Sequence, residues 1–336
     1  MTQPNPVLAS PTPLWQRELA EAVKDPAELV KLLELGEEWL TPAQRAAEAF
    51  PLRAPRSYIA RMRRSDPFDP LLRQVLPLAE ELVEVPGYGA DPVGDLAAGR
   101  GGGVLHKYHG RVLLVATGAC AIHCRYCFRR HYPYTESIAS RAEWQEALAY
   151  IRARPDLEEV ILSGGDPLSL ADRRLLALTE GLNEIPHVQR LRVHSRLPIV
   201  LPSRITDEML SWFAGTRLRP IMVVHANHAQ ELNGETASAL SRLRDAGATL
   251  LHQTVLLRAI NDSADALAAL SERLFDQGVL PYYLHLLDRV QGAAHFDAEE
   301  AQARLLLAAR SARLPGYLVP KLVREEAGAP NKTLLQ

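Results

Sequence analysis

Cysteine is scarce in this chain of 336 residues: there are three, all within Cys120-Ala-Ile-His-Cys124-Arg-Tyr-Cys127. Three thiols packed into one short run do not suit the disulfide framework of a small secreted scaffold. Lysine is nearly as rare, at Lys24, Lys31, Lys107, Lys321 and Lys332, because the basic residues are almost all arginine. Any chemistry that needs a primary amine therefore has few candidates. No apolar run approaches the roughly 18–20 residues needed to cross a bilayer. The start, Met1 to Trp15, has neither the basic nor the apolar region of a secretion signal. A net charge of −2 supplies no general pull toward nucleic acid or an anionic membrane. No Gly-rich Rossmann or P-loop fingerprint follows the first strand-like run, which argues against dinucleotide or nucleotide triphosphate binding. A cytoplasmic enzyme without nucleic-acid or membrane partners is expected.

The composition, 47% hydrophobic and 23% charged, is that of a core-forming globular chain. Residues 1–13, rich in Pro, Ser, Gln and Asn, read as a disordered tail. From Trp15 onward apolar residues fall at helical spacing, and Pro26, Pro42 and Pro51 cut the region into short helices. Residues 14–103 thus read as a helical N-terminal lobe. Beyond Gly101-Gly102-Gly103 the pattern changes to alternating strands and helices. Strands are expected at 111–117, 159–163, 191–194, 221–225, 249–256 and 282–287, with helices near 142–154, 169–183, 206–214, 235–246, 263–277 and 298–312. Such alternation predicts a parallel sheet covered by helices. Spacing alone leaves open an open doubly wound sheet or an incomplete barrel.

Polar residues gather at the strand ends. The cysteines follow the first strand, Gly164-Gly165-Asp166 the second and His194-Ser195-Arg196 the third; His225-Ala-Asn227-His228 follows the fourth and Asp288 the sixth. In βα folds the strand C-termini share one face, where ligand sites are built. Closely spaced thiolates on one loop ligate soft metals and iron–sulfur clusters. Three cysteines fall one short of the four ligands of a closed zinc or ferredoxin site. His123 is a candidate fourth ligand for zinc, but no second histidine stands at zinc-finger spacing. A cluster with one open iron is the favoured reading.

The CxxxCxxC run, with Tyr126 before its last cysteine, resembles the signature of the radical S-adenosylmethionine (SAM) superfamily. Gly164-Gly165-Asp166-Pro167 is similar to that superfamily's GGD/E motif, which holds the methionyl amino group. The resemblance narrows to the lysine 2,3-aminomutase family through Lys107-Tyr108-His-Gly-Arg111, Cys127-Phe-Arg129-Arg130-His131, His225-Ala-Asn227-His228, Gln253 to Asp262 and Pro281 to Asp288. It implies an α/β fold: an incomplete (β/α)6 radical SAM barrel over 104–314, the helical lobe before it and a short C-terminal segment, 315–336.

The resemblance also implies three cofactors: a 4Fe–4S cluster on Cys120, Cys124 and Cys127, SAM, and pyridoxal 5′-phosphate in Schiff-base linkage to Lys332. Arg129 matches the binder of the substrate carboxylate, for which a guanidinium is suited. Asp288 matches a carboxylate that receives the ε-ammonium of lysine. Tyr126, Gly164, Gly165 and Asp166 fall to the SAM side, and Lys107, Tyr108, His225, Asn227 and Gln253 to the coenzyme pocket. Longer, catabolic members clamp the ammonium with a second acid; here no aspartate lies between Tyr317 and Lys332, and Glu325 or Glu326 is left open as a substitute. The short form resembles the aminomutase of the bacterial elongation factor P modification pathway. It implies conversion of (S)-α-lysine to (R)-β-lysine, with an external reductant and with a ligase and elongation factor P downstream. A catabolic aminomutase, a radical SAM enzyme without pyridoxal phosphate and a zinc-binding scaffold remain the alternatives, and a homo-oligomer is left open.

Overall fold

The computed structural model describes residues 12–134 and 141–335, without the side chains of 141–143. Most of the tail expected over 1–13 therefore lies outside the described residues. Among the described residues nine strands form one sheet in strictly sequential order. They are β1 (Val104–Tyr108), β2 (Arg111–Thr117), β3 (Glu159–Gly164), β4 (Arg190–Ser195), β5 (Arg219–His225), β6 (Thr249–Val255), β7 (Leu280–His285), β8 (Lys321–Arg324) and β9 (Thr333–Leu334). Strands β2 to β8 pair in parallel, and β1 and β9 pair antiparallel to the ends of that run. The sheet curls without closing.

The six expected strands are β2 to β7, and helices at 141–152, 172–183, 207–214, 234–245 and 264–276 cross between them, with another at 300–311. Three strands were not foreseen. Strand β1 makes a hairpin with β2 through His109-Gly110, where Gly110 adopts φ +72°, the left-handed region such tight turns demand. Strands β8 and β9 have four and two residues, too few to show a period.

Alternation along each strand decides what faces the sheet's interior. In β4, Leu191, Val193 and Ser195 are buried while Arg190, Arg192 and His194 are only partly so. The apolar set packs on the covering helices and the polar set faces inward. Register then aligns the inward residues across neighbours: His225 pairs with Gln253 and Gln253 with Tyr283.

Before β1 the chain runs through short helices at 14–20, 26–32, 40–49 and 56–59. The second opens on Asp25, whose carboxylate caps Ala27 N ahead of Pro26 at the first turn. Trp15, Leu29, Tyr58, Leu71 and Leu72 belong to the same continuous core as Val160, Leu191 and Met222. This region therefore packs as part of the sheet's own core, and it sends polar side chains into the site. Among the described residues no helix is long and apolar enough to cross a membrane.

Candidate active site

One cavity of about 680 Å³ runs from the cysteine loop down the inside of the curled sheet to the C-terminal hairpin. That volume lies within the range of cofactor sites, ~300–1,000 Å³. Fourteen residues given roles from the sequence border it: Cys120, Cys124, Tyr126, Cys127, Arg129, Gly164, Gly165, Asp166, Lys107, Tyr108, His225, Gln253, Asp288 and Lys332. Asn227 does not line it; it is buried, with Oδ1 accepting from Thr254 Oγ1 and Val255 N.

At one end lie the three thiols, free and partly buried on the loop after β2. Burial, then the neighbouring Cys127, pushes the Cys120 thiol well above its ordinary value; burial and Cys124 raise Cys127 to about 11. These two thiols therefore stay protonated unless a bound metal charge compensates their ionisation. Among the described residues no three His, Cys, Asp or Glu groups converge tightly enough for a single metal ion. Three free thiols on one loop, with no fourth cysteine in the chain, are a donor set that fits an iron–sulfur cluster with one open iron. His123, the candidate fourth zinc ligand, points its Nδ1 at the Pro51 carbonyl oxygen, 2.7 Å away.

The turn after β3 presses against the cysteine loop. Gly165 N donates to Thr117 O at 2.6 Å and Asp166 N to Ala119 O at 2.8 Å. A Cβ on Gly165 would lie 2.5 Å from Ala119 O, and Gly164 adopts φ +122° with Thr117 O 2.6 Å from where its Cβ would stand. Both glycines are therefore required by backbone contact with the loop that carries Cys120. The Asp166 carboxylate is fully engaged by protein donors: Ser195 Oγ at 2.8 Å and the backbone N–H groups of Leu168, Arg196 and Leu197. This turn can offer a ligand only its backbone groups. Gly165→Ala should cost about 1–3 kcal/mol of stability by overpacking; a lower melting temperature and reduced iron content after reconstitution would show it, and an unchanged melt with full iron would refute it.

At the other end a chain of alternating charges crosses the cavity wall. Arg129 Nε donates to Asp95 Oδ2 at 2.7 Å, and Lys107 Nζ lies 2.6 Å from Asp95 Oδ1 and 2.9 Å from Glu325 Oε1. Lys332 Nζ completes the chain, 2.7 Å from Glu325 Oε2. The antiparallel return from β8 to β9 is what brings Lys332 beside Glu325. Burial would raise both carboxylates, but Arg129 and Lys107 hold Asp95 below its ordinary value, and Lys332 and Lys107 hold Glu325 at about 2. Three cations thus share two carboxylates. Arg111 adds a fourth cation, stacked 4.8 Å over the Tyr108 ring and without an ion pair among the described residues. The surplus is positive, as a site for anionic groups requires.

Several polar atoms on the wall are buried without hydrogen-bond partners: the Tyr108 hydroxyl, His194 Nε2 and His285 Nε2. Buried groups of this kind cost free energy unless a ligand or water satisfies them. Burial, with smaller contributions from nearby cations, holds His194 and His285 below their ordinary values, and burial with His252 takes His225 to about 3. These imidazoles are neutral, and the Gln253 amide lies 2.5 Å from His225 Nε2. Asp288 faces the cavity with no side-chain partner among the described residues. Burial raises it to about 7, Glu325 adds to the rise and Lys332 opposes it.

Asp95, Glu325, Arg111, His194 and His285 were not assigned from the sequence, although Glu325 was left open. Asp95 carried no local signal, since its place depends on how the N-terminal region folds over β1. For His285 and His194 the signal was present: each lies at the C-terminal end of a parallel strand.

The Radical SAM superfamily model matches residues 114–223. L-lysine 2,3-aminomutase of Escherichia coli strain K12 is 50% identical over 96% of this chain and 94% of its own length. The Haemophilus influenzae protein of the same name is 47% identical over 95% of each. That of Clostridium subterminale is 31% identical over 95% of this chain and 77% of its own length.

Proposed function

Because the chain belongs to the L-lysine 2,3-aminomutase family of radical SAM isomerases, we propose that it moves the α-amino group of lysine to the β-carbon in this cavity. The observation that carries this reading is the single cavity joining three thiols at one end to Lys332, Arg129 and Asp288 at the other. The family's cluster, SAM and pyridoxal phosphate supply radical generation and electron delocalisation.

The protein's residues bind, orient and exclude water. Cys120, Cys124 and Cys127 hold the cluster, and the turn of Gly164 and Gly165 with Tyr126 flanks the place for SAM. Lys107, Tyr108 and Arg111 form the cationic corner for the coenzyme phosphate, with His225 and Gln253 beside it. Lys332 would supply the primary amine that holds the coenzyme. Arg129 keeps guanidinium N–H groups for the substrate carboxylate while Asp95 and Ser163 hold its Nε and Nη1 at 2.7 and 3.1 Å. Asp288 would receive the ε-ammonium, with Glu325 as the second acid of that end. In this organisation 14–103 is the lobe that supplies Asp95, 104–314 the radical SAM core and 315–336 the segment bearing Lys332.

Selectivity for lysine follows from Asp288. A carboxyl raised to about 7 is neutral below that pH and charged above it. The pH profile of kcat/KM for lysine should therefore rise through about pH 7 on its alkaline-going limb. Asp288→Asn should remove that step and raise KM roughly 30-fold, the worth of about 2 kcal/mol for a buried charge pair. A variant with an unchanged profile would remove Asp288 from the substrate site.

We further place the enzyme in the cytoplasm, in the pathway that modifies elongation factor P. The reading is supported by the resemblance noted in the sequence and by 50% and 47% identity to the Escherichia coli and Haemophilus influenzae relatives, against 31% to that of Clostridium subterminale. Its product would be (R)-β-lysine, which a separate ligase attaches to a lysine of the factor. Purified enzyme, ligase and factor should together yield a β-lysylated factor from (S)-α-lysine. Free β-lysine that the ligase refuses would favour a catabolic role instead.

A further inference from the structure

Arg196, at the end of β4, is a buried cation that contacts neither lysine's expected place nor the coenzyme corner. Its Nη1 donates to Cys124 Sγ at 2.8 Å. Four other contacts fix it there. Nη2 donates to Gln74 Oε1 at 2.7 Å, Glu231 Oε2 at 2.8 Å and the Tyr58 hydroxyl at 3.2 Å, and the backbone N–H donates to Asp166 Oδ2 at 2.7 Å. The guanidinium carbon lies 5.4 and 5.7 Å from the ring centres of Tyr58 and Tyr126. Glu231 is itself pinned by the backbone N–H groups of Asn227 and His228, so it cannot draw Arg196 away.

We propose that Arg196 is a positioning residue for the iron–sulfur cluster, whose fixed N–H bond to the Cys124 sulfur makes the cluster easier to reduce. The proposal rests on the reading of the cysteines as cluster ligands. Reduction adds one electron from a low-potential donor and breaks no bond, so the added negative charge spreads over irons, sulfides and thiolate sulfurs. Hydrogen bonds and positive charge at those sulfurs favour the more negative state and raise the potential. Because Glu231 neutralises much of the guanidinium charge, the directed N–H bond carries most of the effect. The Asp166 carboxylate gains a purpose from the same geometry: it anchors the Arg196 backbone, and through it the donor, opposite the cysteine loop.

The test compares wild type with Arg196→Gln, Arg196→Lys and the double variant Arg196→Gln/Glu231→Gln, each reconstituted anaerobically and checked for a full four-iron complement. The double variant removes both members of the buried pair, so it covers the case in which the lone substitution leaves Glu231 unpaired and fails to fold. Clusters are titrated with dithionite and mediators without SAM, and the paramagnetic reduced cluster is followed by electron paramagnetic resonance. At a potential that half-reduces the wild type, the reduced-to-oxidised ratio should fall about tenfold in Arg196→Gln and in the double variant, the scale of one hydrogen bond to a charged group. Arg196→Lys, which keeps a donor, should recover part of it. An unchanged midpoint in fully loaded variants would overturn the proposal, as would a loss confined to the affinity for SAM. Wild type that assembles no four-iron cluster would instead count against the underlying reading.

Discussion

Cys124→Ala should abolish cluster assembly and reduce SAM cleavage by at least about 10³-fold. Three thiols are the minimum that leaves one iron open, and the chain has no fourth cysteine to substitute. Burial already disfavours the thiolates of Cys120 and Cys127, so the two left in this variant hold metal poorly. Iron and sulfide analysis with the charge-transfer absorption of the cluster reads the first effect, and chromatography of 5′-deoxyadenosine the second. The fold should survive, because the cysteines are only partly buried. A variant that retains four irons per chain and cleaves SAM normally would show that Cys124 is not a ligand.

Lys332→Ala carries the second large effect. The side chain lies in the cavity with Nζ 2.7 Å from Glu325, far from the solvated tail that its near-terminal position would suggest. Loss of the amine removes the covalent hold on the coenzyme, and turnover should fall roughly 10⁴-fold, the scale seen when a covalently acting side chain is removed. Borohydride reduction of the wild type followed by peptide mass analysis should place a phosphopyridoxyl group on Lys332, and the variant should carry none. Labelling that persists, or moves to Lys321 while turnover continues, would transfer the role. Lys321 lies on β8 in register with Tyr283, and its side chain is exposed. The Cys124 variant should still be labelled at Lys332, which separates the two ends of the cavity.

The parallel sheet was legible because each long strand is a short apolar run bounded by turn residues and followed by a helical period. The cysteine loop, the Gly164-Gly165 turn and Asp288 were legible because they stand at the ends of those strands. What escaped has a common cause in tertiary placement. Strand β9 has two residues and pairs only because β8 is already in the sheet, yet this pairing delivers Lys332. Asp95 lies in irregular chain and acquires its place by meeting Arg129 and Lys107, 34 and 12 residues away. Glu325 looked like one of two neighbouring acids; the geometry separates them, since Glu325 bridges two lysines in the cavity while Glu326 bonds Thr333 at the surface. Asp166 read as a ligand group, but its carboxylate is spent on Ser195 and three backbone donors.

The central claim is an amino shift on lysine, and product analysis tests it most directly. Enzyme reconstituted with iron, sulfide, pyridoxal phosphate, SAM and a one-electron reductant is given (S)-α-lysine, and the products are resolved by chiral chromatography with mass detection. The account predicts a new species of unchanged mass, (R)-β-lysine, that requires all of these components. Cleavage of SAM with lysine recovered unchanged would contradict it.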